Sequence, residues 1–245
     1  MDTAKRFEDK RLEKIRIFNG AQLKYIAFVS MLIDHTNKAI VGPYLDGDGW
    51  LATLSTIFDV LGRVAFPIFA FLIVEGFFKT RSRARYLGSL MVFALISEVP
   101  FDMFANRRFF FTNDFNVLFT LSLALATLWA IDSLKKKLSN IHPAVWYLAS
   151  IILLIISSLI AMLGGFDYEY HGILIPYAFY LFYNRPILAD FFGYLAIIKE
   201  IWSLLGFGLT LTYNGKRGKQ YKWVNYWFYP VHLFILGLLR FYLNI

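Results

Sequence analysis

The sequence contains no cysteine and has few charged residues for its length. Of its 245 residues, 17% are Asp, Glu, Lys or Arg, against about 25% in ordinary soluble domains. The absence of cysteine excludes disulfides, thiolate metal ligands and any mechanism with a cysteine acyl-enzyme. The shortage of charge, beside a hydrophobic fraction of 58%, excludes a disordered chain, a collagen-like repeat, a coiled coil and an ordinary soluble enzyme. The composition that remains is that of a polytopic membrane protein.

Apolar runs long enough to cross a bilayer recur along the whole chain, since a spanning helix needs about 20 apolar residues. We predict an all-α transmembrane bundle of about eight spans, because lipid-exposed backbone must be hydrogen-bonded within its own segment. The predicted spans are 22–41, 51–78, 86–105, 115–134, 143–163, 171–184, 187–212 and 225–244. The run 171–184 is short, which is typical of a tilted, broken or re-entrant segment. No repeat or low-complexity linker divides the spans, so we expect a single integral membrane domain (21–245) behind a basic arm (1–20).

The net charge of +8 is spread over short basic clusters between the apolar runs. The clusters are Lys5 to Arg16, Lys79 to Arg85, Lys135 to Lys137 and Lys216 to Lys222. This distribution favours positive-inside anchoring in a lipid bilayer over nucleic-acid binding, so no nucleic-acid partner is expected. The basic residues of the arm predict a cytoplasmic N-terminus. The arm has no cleavable apolar core, which predicts that the first span is retained as an anchor. Acidic connections are expected outside the membrane; they contain Asp46, Asp48, Asp167 and Glu169.

Two features of this topology stay open. With eight spans, the basic loop that follows residue 213 would face outward, against the positive-inside rule. Splitting the run 187–212 at Lys199-Glu200 gives nine spans, two of them short, and brings that loop inside. The arm also interleaves bases with apolar residues such as Phe7 and Leu12, so it is either a helix on the membrane surface or a solvated tail.

Ionisable residues inside the predicted spans are costly and therefore mark functional candidates. Those singled out are Asp34, His35, Lys38, Asp59, Arg63, Glu75, Glu98, Asp102, Asp190, Lys199, Glu200 and His232. Spacing alone allows several pairings. Asp59 and Arg63 stand four apart and could neutralise each other, while Asp34 could pair with Lys38 on its own helix or with Arg63 across the bundle.

His35 is the histidine in the apolar middle of a long span. A neutral imidazole at such a site can accept a proton from an attacking hydroxyl or amine. The alternative is a histidine hydrogen-bonded between helices for packing alone. His142 is expected in a loop and His171 at an interface, and spacing assigns no role to His232.

Six stretches, in order along the chain, resemble one known family. They are Leu23-Lys24 through Met31-Leu32-Ile33-Asp34-His35, Gly62-Arg63-Val64-Ala65-Phe66-Pro67-Ile68-Phe69-Ala70-Phe71 continuing into Val74-Glu75-Gly76-Phe77, Ser97-Glu98-Val99-Pro100-Phe101-Asp102, Asn116-Val117-Leu118-Phe119-Thr120-Leu121, Asn214-Gly215-Lys216-Arg217-Gly218, and Phe228-Tyr229-Pro230-Val231-His232-Leu233. Together they resemble the TraX family of bacterial membrane proteins, from near residue 23 to the C-terminus. That family is associated with N-terminal acetylation of F-pilin and is distantly similar to larger transmembrane acyltransferases.

The resemblance implies acyl transfer in the bacterial cytoplasmic membrane. The implied donor is acetyl-CoA or another acyl-CoA, an activated thioester that needs no metal. The implied acceptor is extracytoplasmic: a protein N-terminus, an amine or a sugar hydroxyl. His35 would be the general base or, alternatively, would carry the acyl group itself. The other implied site residues are Asp34, Arg63 as oxyanion stabiliser, Asn116 as a neutral donor, and Glu75 and Glu98, which would hold an acceptor amine or orient Arg63.

The phosphates of coenzyme A would need a basic clamp on the cytoplasmic side. Candidates are Arg81, Arg83 and Arg85 in one loop and Lys216 and Arg217 in another; the alternative is anchoring alone. Two rival functions remain at this stage. One is a lipid-modifying transferase without coenzyme A. The other is a transporter or assembly factor for surface polymers or pili, although no inverted repeat of the transporter type is visible.

Overall fold

The protein, described here by a computed structural model, is a bundle of α-helices. The structure describes residues 10–44, 49–110, 113–138, 140 and 142–245, with side chains from residue 12 onward. Its helices are α1 Lys10–Glu13, α2 Gly20–Thr36, α3 Trp50–Gly62, α4 Ala65–Lys79, α5 Arg83–Asn106, α6 Val117–Lys137, α7 Pro143–Leu163, α8 His171–Leu181, α9 Pro186–Leu195, α10 Ser203–Leu211 and α11 Lys222–Leu243. No strand occurs within these ranges, and the predicted all-α fold is confirmed.

Several helices begin where the sequence supplies partners for the first turn. Before α2, the Asn19 side chain accepts from the Gln22 backbone N–H at 3.0 Å, and the Gln22 side chain accepts from the Asn19 N–H at 2.9 Å. The Asn116 side chain caps α6 by accepting from the Leu118 N–H at 3.0 Å. Helices α7 and α9 begin at a proline, whose missing N–H costs nothing at that position. Helix α2 continues through a π-helical turn, Asn37–Val41.

Among the described residues, five stretches of helix are long and apolar enough to cross a membrane. They are Trp50–Lys79, which joins α3 to α4, Arg83–Asn106, Val117–Lys137, Pro143–Leu163 and Lys222–Leu243. Each lies within a few residues of a predicted span, and α2 with its π-helical turn occupies a sixth. Helix α8 has only 11 residues, in keeping with its short apolar run. The chain is therefore a multi-pass membrane protein.

The predicted span 187–212 is not one helix, because it breaks into α9 and α10. The two helices run antiparallel, since the Thr210 hydroxyl donates to the Asp190 carboxylate at 2.5 Å and Gly193 packs against Phe207. The turn between them contains Lys199 and Glu200, so the break falls where the nine-span alternative requires it.

The basic loop after α10 lies at the end of the bundle where α2 begins. The Gly20 N–H donates to the Lys216 carbonyl at 2.9 Å, and the Ala21 N–H donates to the Arg217 carbonyl at 3.0 Å. Lys79, the last residue of α4, donates to the Gly215 carbonyl at 2.9 Å. The two basic loops and the start of α2 therefore share one end of the bundle, as the nine-span alternative requires and the eight-span one does not.

The described part of the N-terminal arm docks on that same loop. Helix α1 covers only four residues, and Leu12 is buried. Phe18 pairs with the chain after α10: its N–H donates to the Thr212 carbonyl at 3.1 Å, and its carbonyl accepts from the Asn214 N–H at 2.8 Å. Of the predicted loop charges, Lys5, Arg6, Asp46 and Asp48 lie outside the described residues, as does Phe7, and of Lys10 and Arg11 only the backbone is described.

Helix α4 lies at the centre of the bundle and is buried along most of its length. It packs against α2, α6, α8 and α10. Its Phe71 and Phe77 rings meet Phe179 and Tyr180 of α8 edge-on, at centroid distances of 5.6 and 5.9 Å. Outer helices such as α7 instead keep one apolar face exposed, and that is the face a helix presents to lipid.

Candidate functional site

A cavity of about 520 Å³ opens between α2, the α3–α4 joint, the α7–α8 connection and the turn between α9 and α10. Asp34, His35 and Arg63 all line it, so the structure brings together the three residues that the sequence singled out first. The other ionisable residues of its wall are Lys38, Asp114, Asp167, Glu169, His171, Lys199 and Glu200. Its remaining lining is largely apolar and aromatic.

His35 is hydrogen-bonded to a second histidine. Its Nδ1 lies 2.8 Å from Nε2 of His232, which α11 contributes. The two rings are nearly parallel, with centroids 5.1 Å apart and an interplanar angle of 10°. Nδ1 of His232 lies 2.7 Å from the Phe228 carbonyl oxygen one turn earlier. Sequence reasoning gave His232 no role, although its position inside a span, as an ionisable residue, was the available signal.

Asp34 contacts groups on its own helix and on α3. Its Oδ2 lies 2.7 Å from Nζ of Lys38 and 3.9 Å from Nε2 of His35. Of the two predicted partners, Lys38 is therefore confirmed. Gly62 packs against the side chain so closely that a Cβ there would lie 2.6 Å from the Asp34 Cβ. Ser30 fixes the crossing by donating to the Leu61 carbonyl at 2.6 Å.

Arg63 does not pair with Asp59 or Asp34, and both of those predictions are wrong. Its Nε lies 3.2 Å from Oε2 of Glu200, in the turn between α9 and α10. Asp59 accepts instead from Nδ2 of Asn37 at 2.9 Å. Arg63 follows the last residue of α3 and reaches across to the turn, while the π-helical turn of α2 brings Asn37 to Asp59. The Arg63–Glu200 pair thus ties the turn to the α3–α4 joint.

The connection between α7 and α8 closes another side of the cavity. Asp167 lies there; the residue is exposed overall, but partial desolvation of its carboxyl by the surrounding groups raises the pKa to about 6. Burial also raises the pKa of the Tyr168 hydroxyl, whose ring stacks on Phe66 of α4 at a centroid distance of 3.7 Å. The Asp167 N–H donates to the Phe115 carbonyl at 2.9 Å, and its carbonyl accepts from the Thr120 hydroxyl. The connection is therefore fixed to both α4 and the start of α6.

Glu98 and Asn116 bind each other and do not line the cavity. The Asn116 amide donates to the Glu98 carboxylate, and also to the Ala94 carbonyl at 2.9 Å. Its side-chain oxygen caps α6. The pair holds the start of α6 against α5, next to Phe115 and Val117, which do line the cavity.

Glu75 lies on α4 beyond the cavity, towards the end where the basic loops meet. Its carboxylate accepts from the Tyr183 hydroxyl at 2.9 Å and lies 2.9 Å from Nζ of Lys79. Lys79 also donates to the Tyr213 hydroxyl at 2.8 Å. Glu75 therefore fixes Lys79 and, through it, the loop after α10. The resemblance had implied that Glu75 would hold an acceptor amine or orient Arg63, and the structure places it elsewhere.

The predicted phosphate-binding residues lie around this same end. Arg83 pairs with Asp132 of α6 at 2.6 Å and stands 3.9 Å from the centroid of the Phe77 ring, so much of its guanidinium is engaged. The side chains of Arg81, Arg85, Lys216 and Arg217 are exposed. Arg85 and Lys222 line one open groove of about 640 Å³ between the starts of α5 and α11. The two loops thus form one basic surface.

Comparison with known proteins agrees with the sequence motifs. The family model described as TraX protein matches residues 19–240. The probable fimbrial assembly protein FimC (serogroup H1) of Dichelobacter nodosus is 29% identical over 249 residues, covering 93% of this chain and 98% of that protein. No solved structure matches the chain. Since the family model spans most of the sequence, from the capping box of α2 almost to the end of α11, this protein belongs to the TraX family.

Proposed function

We propose that the protein is an integral membrane acyltransferase that moves an acyl group, in the first place acetyl, from acyl-CoA to an extracytoplasmic amine. The observation that carries the proposal is the arrangement in the cavity: His35, hydrogen-bonded to a second histidine, lies beside the Asp34 carboxylate and across from Arg63. A base, a charge partner and an oxyanion stabiliser are what transfer from a thioester requires of a protein.

In the proposed step, an acceptor that enters as an ammonium ion first releases one proton to water. The neutral amine nitrogen then attacks the thioester carbonyl while Nε2 of His35 takes a second proton from it. The carbon–nitrogen bond forms and the carbon–sulfur bond breaks. The thiolate leaves and receives the proton from His35, giving an amide and free coenzyme A. The Arg63 guanidinium, with its Nε held by Glu200, stabilises the negative charge that develops on the carbonyl oxygen.

Two features of the cavity favour an amine acceptor over a sugar hydroxyl. Nε2 of His35 and Oδ2 of Asp34 are 3.9 Å apart, too far for a direct hydrogen bond. A primary amine carries two hydrogens and could donate one to each, whereas a hydroxyl has only one. In addition, Asp34 and Glu200 have their own cationic partners, so the unpaired wall groups are mostly acidic and attract a cation. Those acidic wall groups are Asp114, Asp167 and Glu169, with Lys199 as their basic counterpart.

The basic surface at the other end of the bundle is proposed to bind the coenzyme. Exposed Arg81, Arg85, Lys216 and Arg217 offer charge to its phosphates. The positive-inside rule puts this end, with the start of α2, in the cytoplasm, where acyl-CoA is found. The acyl group would then pass through the bundle to the His35 cavity, which the α7–α8 connection helps to line.

A second candidate function is that of an assembly factor without acyl-CoA chemistry. The name of the Dichelobacter nodosus relative, a fimbrial assembly protein, favours it. The two functions are compatible if the acceptor is a fimbrial subunit whose amino group is acylated. One observation distinguishes them, because an assembly factor without acyltransferase activity consumes no acyl donor.

The deciding experiment measures release of free coenzyme A by the purified protein with labelled acetyl-CoA and an amine-bearing peptide. His35→Ala is expected to lower the rate by about 10²–10⁴-fold, the usual contribution of a general base. His142→Ala is the matched control, because His142 only caps α7 and lies outside the cavity. Equal turnover by the wild type and His35→Ala would remove His35 as the base. The absence of turnover with any short acyl-CoA would favour the assembly factor.

A further inference from the structure

We propose that His232 is a positioning residue that locks His35 in one tautomer, with hydrogen on Nδ1 and the lone pair of Nε2 directed to the cavity. The significance for catalysis rests on the proposed acyl transfer. The tautomer itself follows from the hydrogen bonds alone and can be tested without any assay of activity.

The Phe228 carbonyl can only accept a hydrogen bond. Nδ1 of His232, 2.7 Å away, must therefore carry a hydrogen. In a neutral imidazole the other nitrogen is then a bare acceptor, so Nε2 of His232 accepts. Nδ1 of His35, 2.8 Å from that nitrogen, must be the donor. Nε2 of His35 is left without hydrogen, which is the state a general base requires.

Packing holds the two rings in this orientation. The His35 ring lies 4.8 Å from the Phe104 ring. His232 stacks on Phe228 at 4.7 Å and meets Tyr229 edge-on at 5.7 Å. Rotation of either imidazole would break the chain of hydrogen bonds inside an apolar setting, where unsatisfied polar groups are costly. The tautomer is therefore set by the fold and does not depend on a bound substrate.

This row of hydrogen bonds, from His35 through His232 to Phe228, also limits where a proton can go. It ends on the Phe228 backbone carbonyl, which accepts a hydrogen bond but cannot carry a proton onward. A proton captured at Nε2 of His35 thus has no path through His232 and must leave by the cavity, where the departing thiolate takes it. The pair suits an acid–base catalyst better than the proton wire of a transporter, in which each group passes its proton to the next.

Three substitutions of His232 separate its hydrogen bond from its volume. His232→Phe keeps a stacking ring and removes the acceptor. His232→Gln places an amide oxygen near the position of Nε2 and can accept from His35 Nδ1. His232→Asn places its amide near the position of Nδ1 and falls short of His35. We expect kcat to fall by about 10²–10⁴-fold in the Phe and Asn variants, as when a catalytic histidine adopts the wrong tautomer, with KM for acyl-CoA unchanged. The kcat of the Gln variant should be at least about tenfold higher than that of the Phe or Asn variant.

The direct readout is the ¹⁵N spectrum of histidine-labelled protein in nanodiscs, near neutral pH. The sequence has four histidines, so single substitutions assign each ring. The proposal requires a protonated Nδ1 and an unprotonated Nε2 for His35 in the wild type, and a loss of that preference in His232→Phe. Hydrogen on Nε2 of His35 in the wild type, or the same tautomer in wild type and His232→Phe, would overturn it. A confirmed tautomer in a protein without acyl-CoA turnover would support the lock and defeat the proposed function, so the two failures are distinguishable.

Discussion

Replacing Gly62 by alanine should disturb the cavity at one defined point. A Cβ at this position would lie 2.6 Å from both Cβ and Oδ1 of Asp34 and 2.9 Å from its Cγ. Because the Cβ of Asp34 is bonded directly to the backbone of α2, relief requires α2 and α3 to move apart. Overpacking of this kind costs about 1–3 kcal/mol of stability. A displacement of the carboxylate by about 1 Å is expected to lower acyl transfer by about 100-fold.

The assay for this variant pairs thermal unfolding in detergent with acetyl-CoA turnover. Gly208→Ala is the matched control, since a Cβ at Gly208 of α10 meets no atom within 4 Å. An alanine in an open helical position gains up to about 1 kcal/mol relative to glycine, so the control should be as stable as the wild type or slightly more so. If Gly62→Ala and Gly208→Ala behave alike in both measurements, the close approach of α3 to Asp34 is not as described.

Four further predictions follow from the same contacts. Arg63→Lys keeps the charge but loses the planar fork, so kcat/KM should fall at least about tenfold; a rate equal to wild type would remove Arg63 from the mechanism. Partial desolvation raises the pKa of the Asp167 carboxyl to about 6, so the folded state holds a proton that the unfolded chain releases near pH 4, and stability should fall as pH rises from 4 to 6. The fall should be roughly 1 kcal/mol or less, because the residue is exposed and solvent screens it. Thermal midpoints across that window should lose this slope in Asp167→Asn, and a slope that persists would contradict the assignment. Glu75→Gln should raise KM for acyl-CoA more than it lowers kcat, because Glu75 holds the basic loops; a selective loss of kcat would instead place it in the chemistry. A topology reporter fused at Gly218 should report the cytoplasm, and an outside signal would remove Lys216 and Arg217 from the coenzyme site.

The spans and the cavity residues were predictable because both depend on local sequence. Hydropathy over about 20 residues is enough to find a spanning helix, and five long helices coincide with predicted spans. Charge is costly in lipid, so position alone marked a set of ionisable residues as candidates. The family resemblance then gave roles to Asp34, His35 and Arg63, and the bundle gathers all three around one cavity. The Asp34–Lys38 pair was also within reach, since both residues lie one turn apart on the same helix.

The partners of those residues were not predictable, because they come from distant parts of the chain. Arg63 meets Glu200 only since the run 187–212 folds back on itself, and apolar composition does not distinguish such a hairpin from a single span. His35 meets His232 only because α11 packs beside α2. The four-residue spacing predicted a pair between Asp59 and Arg63. Asn37, in the π-helical turn that continues α2, donates a hydrogen bond to the Asp59 carboxylate instead.

The proposed function requires that an acyl group pass from coenzyme A at the basic end of the bundle to an amine at the His35 cavity. The most direct measurement uses sealed proteoliposomes with the basic end outward, labelled acetyl-CoA outside and an amine-bearing peptide trapped within. The account predicts labelled peptide inside the vesicles, at a rate about 10²–10⁴-fold lower for His35→Ala and unchanged for His142→Ala. An unlabelled peptide, or equal labelling by the wild type and His35→Ala, would contradict it.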